Sequence, residues 1–316
     1  MAVSFVDNKI LSFKDIDSFF LFLAGPCYND CLFCVRKTEP FSDISRLDWK
    51  TRDRGHSTKK ICLVGNEPLI HPRITDIIQQ ARLRGFEGVE VMTSGELLAD
   101  KAFLRCLRRS GLTGVAMPLY SVRAAVHDVI VGRRGSFKLA VRALRQARDA
   151  GLKVFVHSNL TVLNMRDLPL LESWVREELR VSFTVLPLRP KRRFMFQQLM
   201  PRYNTMVRAL RGMKSLIGFP LCVLRCIQRP FFLDDRRISD SVKLYVRAPH
   251  FVKAAPCRRC RAASSCVGLF QEYLDRYGDA ELRPFTAIPR GRRGAAPEKL
   301  CASRRSAEIC PLLKRR

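Results

Sequence analysis

Between about residue 17 and residue 190 the chain alternates short apolar runs with amphipathic stretches, and this alternation constrains the fold more than any other feature. The runs are "FFLFLAG", "KKICLVG", "GVEVMTSG", "GVAMPLYS", "KVFVHSNLTV" and "RVSFTVLPL". Stretches between them, such as "PRITDIIQQARLRG" and "ADKAFLRCLRRSG", space their apolar residues as a helix face does. Three of these stretches end in a glycine suited to a C-cap: Gly85, Gly111 and Gly151. Strand–helix repeats of this length predict parallel βαβ units with right-handed crossovers. Six in series make an α/β fold, either a doubly wound sheet or a partial (β/α) barrel. In both, the side chains that do chemistry belong at the C-terminal ends of the strands.

After 190 the pattern breaks. "RYNTMVRALRGMKSLIG" reads as helix and leads into "FPLCVLRC" and then "PCRRCRAASSCVG". The expected organisation is a lead-in (1–18), an α/β core (19–195), a small cysteine-bearing region (196–286) and a basic tail (287–316). The tail has no apolar period and reads as disordered; its Cys301 and Cys310 read as incidental.

Of the 316 residues 47% are apolar, enough for a substantial core. No uncharged apolar run reaches the roughly 18 residues of a membrane span. The N-terminus scatters Asp7, Lys9, Lys14, Asp15 and Asp17 among its apolar residues, unlike a signal peptide. The expectation is a cytoplasmic protein with no membrane partner. There, twelve cysteines point to metal or redox chemistry rather than to disulfides. The net charge of +28 raises a nucleic-acid partner. Most arginines, however, spread along predicted helices as solvated faces. Only "LRPKRRF" (188–194) and the tail are dense, so nucleic acid is the secondary expectation.

"GPCYNDCLFC" (25–34) puts Cys27, Cys31 and Cys34 in one loop after the first run. Three thiolates can hold three irons of a cubane and leave the fourth iron open, as an open catalytic metal site requires. Zinc is the alternative, but it needs a fourth ligand. The nearest candidates are His56 and Cys62, and Cys62 sits inside an apolar strand where a buried thiol is ordinary.

Here the sequence resembles a family. The C-x3-C-x2-C spacing with Phe33 before the last cysteine is similar to the signature of radical S-adenosylmethionine (radical SAM) enzymes. "LVGNEPLIHP" (63–72) resembles that family's Gly-Gly-Glu-Pro motif, and "VMTSG" (91–95) its Thr-Asn-Gly stretch. Residues 119–164, with Ser121, His127-Asp128 and "GRRGSF", resemble the branch that modifies peptides and builds cofactors. The resemblance implies a partial (β/α)6 TIM-like barrel, a [4Fe–4S] cluster, S-adenosyl-L-methionine on its open iron, and an electron donor such as ferredoxin or flavodoxin. It implies that Cys27, Cys31 and Cys34 hold the cluster and that Phe33 packs beside it. Gly65, Asn66 and Glu67 would meet the methionyl amino group, with Pro68 fixing the turn. Asn66 stands where the family has a second glycine. Thr93, Ser94, Ser121 and Asn159, at the ends of strands, would reach the carboxylate and ribose. His71 and His127 read as loop-orienting groups rather than proton carriers.

Cys257, Cys260 and Cys266, with Cys222 upstream, supply four more thiolates. Their context resembles the C-terminal SPASM or twitch extension of radical SAM enzymes and implies one auxiliary [4Fe–4S] cluster. Zinc is again the alternative, and Cys226 the alternative fourth ligand. The leading expectation is a radical SAM enzyme acting on a peptide or a biosynthetic small molecule. Two others stand beside it: a radical SAM enzyme that modifies tRNA or rRNA, and a non-catalytic iron–sulfur protein that binds nucleic acid.

Overall fold

The computed structural model describes residues 18–34, 40–47, 49, 59–188, 193–228 and 251–287. The expected lead-in up to residue 17, His56, most of the basic run at 188–194, and the tail from 288 with Cys301 and Cys310 lie outside the described residues.

Six parallel strands form one sheet: β1 (Ser18–Leu23), β2 (Lys60–Gly65), β3 (Gly88–Met92), β4 (Gly114–Pro118), β5 (Lys153–Leu160) and β6 (Ser182–Pro187). Their spatial order is the chain order, β1 to β6. A doubly wound sheet reverses direction at a switch point, and this one never does, so the partial barrel is the correct choice. In register, Leu23 faces Gly65, Met92 faces Ala116 and Leu160 faces Pro187, which brings the C-terminal strand ends to one rim. β2 buries its four inner residues, Ile61 to Val64, as a strand covered on both faces must.

Helices α1 (Ile74–Leu83), α2 (Lys101–Arg109), α3 (Ala124–Val131), α4 (Ser136–Asp149) and α5 (Leu168–Ser173) pack outside the sheet. α1 buries Ile74, Ile77, Ile78 and Ala81, the i, i+3, i+4, i+7 stripe that the sequence predicts. α2 starts where the Asp100 carboxylate accepts from the Ala102 amide at 2.7 Å, and it ends in Arg108 and Arg109.

The region beyond the barrel holds α6 (Arg193–Leu199), α7 (Tyr203–Ala209), α8 (Leu221–Ile227), a two-stranded antiparallel pair β7 (Phe251–Val252) and β8 (Leu269–Phe270), and α9 (Gln271–Tyr277). The helix expected through residue 218 stops at Ala209. Residues 215–217 instead line the β6 edge: the Val185 amide donates to Ser215 O at 2.7 Å and the Ile217 amide to Val185 O at 3.0 Å. Pairing covers an otherwise open sheet edge. The apolar core runs unbroken from the barrel into this region. Tyr203 stacks on Tyr273 at 3.8 Å, and the Tyr203 amide donates to the Tyr273 hydroxyl at 2.8 Å. No helix among the described residues is long and apolar enough to cross a membrane.

Candidate active site

The cysteine loop leaves the C-terminal end of β1 and docks on the end of α3. The Asp30 amide donates to Val131 O at 3.1 Å and the Leu32 amide to Ile130 O at 3.0 Å. Gly132 caps α3 with φ +72°, and a Cβ there would lie 2.2 Å from Asp30 O. Only glycine permits both that backbone angle and that approach. Phe33 meets Tyr120 edge-to-face at 5.5 Å, and with Cys31 it packs on a small apolar cluster of Tyr120, Ile130 and Val131. Burial pushes the Cys31 thiol up to about 12, with the Cys34 and Cys27 sulfurs adding to the shift. Burial also raises Cys27, although the Asn29 amide donates to its sulfur at 3.4 Å. Burial keeps the Cys27 and Cys31 thiols protonated until a cation compensates them.

Glu67 follows β2 and is buried. Its Oε1 accepts from Thr93 Oγ1 at 2.6 Å and from the Leu69 amide at 3.1 Å. Its Oε2 accepts from the Ser94 amide and the Ser94 hydroxyl, both at 2.8 Å. Burial raises its pKa and these donors oppose the rise. Pro68 opens the short turn that Glu67 caps. The strand ends thus bring Glu67, Thr93 and Ser94 together, next to the cysteine loop. Gly65 has a plain packing reason, since a Cβ would lie 1.9 Å from Leu23 O across the β1–β2 pair. The Asn66 side-chain Nδ2 donates to Gly25 O and ties the end of β2 to the start of the cysteine loop.

Ser121 and Asn159 lie outside this group. Ser121 is buried, donates to Asp167 and accepts from the Arg123 amide at 2.8 Å. Arg123 Nε pairs with Asp167 at 3.0 Å. Asn159 donates to Pro187 O at 3.5 Å. His71 bridges Ser42 O at 2.9 Å and the Arg73 amide at 3.1 Å, and His127 accepts from the Tyr120 amide at 3.3 Å. Both orient loops, as the sequence reading expects. Asp128 caps α4 through the amides of Gly135 at 2.6 Å and Phe137 at 2.9 Å, which accounts for the "HD…GRRGSF" pattern.

Sequence reasoning missed Tyr28. Its hydroxyl lies 2.6 Å from Ser94 Oγ and 3.4 Å from Glu67 Oε2. Arg133 sits 4.8 Å over its ring and pairs with buried Glu96 at 2.7 Å. The available signal was an aromatic residue inside a polar metal loop.

In the second region Cys222, Cys257, Cys260 and Cys266 line one small apolar pocket with Leu221 and Phe285. Cys226 is buried one helical turn beyond Cys222 and does not line it. Backbone amides of Leu221 and Gly268 each donate to Cys266 Sγ at 3.3 Å, and the Phe285 amide donates to Cys260 Sγ at 3.3 Å. Amides aimed at sulfur stabilise thiolates and tune iron–sulfur centres. Among the described residues no group of three or more His, Cys, Asp or Glu side chains is arranged to hold a single metal ion.

A parallel partial barrel with a three-cysteine loop at its rim defines a class. Residues 24–169 match the sequence profile of the radical SAM superfamily, and this segment is a radical SAM domain. The chain is similar to the GTP 3',8-cyclase of Petrotoga mobilis, 33% identical over 150 residues, 44% of this chain and 45% of that protein. It is also similar to the subtilosin biosynthesis protein AlbA of Bacillus subtilis, 26% identical over 164 residues, 49% of this chain and 36% of that protein. Among solved structures, Streptococcus suis SuiB bound to S-adenosylmethionine shares the fold. Its TM-score is 0.50 at 14% identity, over 78% of this chain and 55% of that one. The chain spans less than half the length of the curated relatives it matches.

Proposed function

We propose that the chain is a radical SAM enzyme acting on a peptide or a biosynthetic small molecule, with an auxiliary iron–sulfur cluster in its second region. The observation that carries this is the joining of three loop thiols to a carboxylate already fixed by Thr93 and Ser94, inside a radical SAM domain. When bound, the [4Fe–4S] group and S-adenosylmethionine supply one-electron cleavage to methionine and a 5′-deoxyadenosyl radical that takes a substrate hydrogen atom.

The chain's own residues do the rest. Cys27, Cys31 and Cys34 would hold the cluster through their thiolates. Phe33, Tyr120, Ile130 and Val131 form an apolar wall that keeps water from the thiol side. Glu67, with Gly65, Asn66 and Pro68 around it, presents negative charge to the methionyl ammonium. Thr93 and Ser94 lock its orientation, while Ser121 and Asn159 face the rim from β4 and β5 through networks of their own. Tyr28 supports this arrangement through its hydrogen bond to Ser94 Oγ. Cys222, Cys257, Cys260 and Cys266 would hold the second cluster with four thiolates. The reducing electron comes from a donor of the ferredoxin or flavodoxin class. The substrate reading rests on likeness to a nucleotide cyclase and a bacteriocin biosynthesis protein.

The test is anaerobic reconstitution followed by dithionite and S-adenosylmethionine. We expect 5′-deoxyadenosine and about eight irons per chain from two cubanes. Intact clusters with no 5′-deoxyadenosine would refute the enzyme, and about four irons would refute the auxiliary cluster.

A further inference from the structure

The helical arginines read as scattered along the sequence, but the fold gathers them. α2 and α4 lie side by side, and between them runs a groove of about 630 Å³ with Lys101, Arg105, Lys138, Arg142 and Arg145 on its walls. Its floor is apolar, from Leu104, Phe137 and Val141. A second groove of about 610 Å³ shares Arg105 and continues past Arg108, Arg109 and Lys153. The cations are exposed. Asp149 is the one acid on these walls, and Arg148 pairs with it at 2.8 Å. Among the described residues no carboxylate reaches ion-pair distance of Lys101, Arg105, Lys138, Arg142 or Arg145.

Several of these cations face a like charge four residues along the same helix: Lys101 and Arg105, Arg105 and Arg109, Lys138 and Arg142. Such pairs repel. Steps of four residues set the charges about 6 Å apart along each wall. The geometry points to a docking groove for single-stranded nucleic acid, held through its phosphates and independent of the radical chemistry. Two cation rows flanking a narrow trough suit a linear polyanion one strand wide. An acidic redox partner fits less well. The groove reaches Thr113 and Lys153, where β4 and β5 begin, at the end of the sheet opposite the cysteine loop.

The probe is a fluorescein-labelled 20-nucleotide oligouridylate titrated against the full chain at several salt concentrations. We expect saturable binding that weakens with salt. The triple variant Arg105→Gln, Arg142→Gln, Arg145→Gln should bind at least tenfold more weakly at 100 mM salt. Its log–log salt slope should be shallower by about 2, from roughly 0.7 per lost phosphate contact. A triple variant of equal charge at exposed Arg180, Arg208 and Arg211 should retain most of the affinity. In the unmodified chain, bound oligouridylate should protect Lys101 and Lys138 from acetylation, a reading that needs no variant to fold. Equal loss in both triple variants, or unprotected lysines, would overturn the groove. Displacement by an equal concentration of polyglutamate would overturn nucleic acid in favour of an acidic protein.

Discussion

The two cysteine sites solve opposite problems. The first takes its thiols from within eight residues of one loop, Cys27 to Cys34, so local spacing sets the ligands. What the fold adds is a dock on α3 and a polar neighbour, Glu67 with its hydroxyl donors. The second takes its thiols from Cys222 and from Cys257 to Cys266, segments 35 residues apart, and tertiary structure alone assembles them. There the neighbours are apolar and the sulfurs receive backbone amides.

The comparison breaks most sharply at the cysteines. Cys31→Ala removes a first-site ligand and should reduce 5′-deoxyadenosine formation at least a hundredfold. Cys260→Ala should leave measurable, uncoupled cleavage. Iron per chain should fall by about half in each. Equal loss of cleavage in both variants would show that the two sites do not act separately.

Two glycines give the same contrast without touching a ligand. Gly132→Ala forces a Cβ to within 2.2 Å of Asp30 O at φ +72°, and Gly268→Ala to within 2.3 Å of Val252 O at φ +91°. Each should cost about 1–3 kcal/mol from the strained angle, plus displacement of the facing backbone. Gly132→Ala should lose iron from the first site only, because its neighbour is the cysteine loop. Gly268→Ala should lose it from the second only, because the Gly268 amide bonds Cys266. Cleavage and iron, measured together on each variant, check both outcomes.

The sequence showed the six strands because β-runs and glycine-ended helices are local patterns. It left the choice of sheet open because strand order is a tertiary property, settled only by the register of β1 through β6. It assigned Glu67 and the pair Thr93 and Ser94 to different parts of the nucleotide, and only the fold shows that they bond one another. It offered Ser121 and Asn159 from their strand-end positions, but a strand end does not say which neighbour a side chain finds; Ser121 bonds Asp167 and Asn159 bonds Pro187 O. Tyr28 escaped because its role depends on a contact 66 residues away. The arginines of α2 and α4 escaped because adjacency of two solvated faces has no local signal.

Acid should separate the barrel from the second region. Burial holds His127 and His157 neutral, each lowered to about 4 from 6.5. Neither affects stability above about pH 6.5, where folded and unfolded chains both carry neutral imidazole. As pH falls from 6.5 towards 4 only the unfolded chain gains the protons, so stability drops by up to about 3 kcal/mol per histidine. Thermal melting of the iron-free chain between pH 7.5 and 4.5 should show this slope. His127→Asn should flatten it by about half while lowering stability at pH 7.5, because the acceptor for the Tyr120 amide is disturbed.

The smallest expected effect is the most specific to the open site. Tyr28→Phe keeps the ring beneath Arg133 and removes only the hydroxyl shared by Ser94 and Glu67. Losing that bond should cost about 1 kcal/mol of stability. That hydroxyl has one proton. With the Ser94 hydroxyl donating to Glu67 Oε2, the Tyr28 proton goes to Ser94 Oγ at 2.6 Å, so Oε2 takes two donors, the Ser94 amide and the Ser94 hydroxyl. Tyr28 therefore fixes the Ser94 hydroxyl that orients Glu67. The variant should bind S-adenosylmethionine about fivefold more weakly, the equivalent of about 1 kcal/mol, with its second-site iron unchanged. Unchanged binding would show that the Ser94 amide alone orients Glu67. Equilibrium dialysis on the reconstituted chain measures the shift.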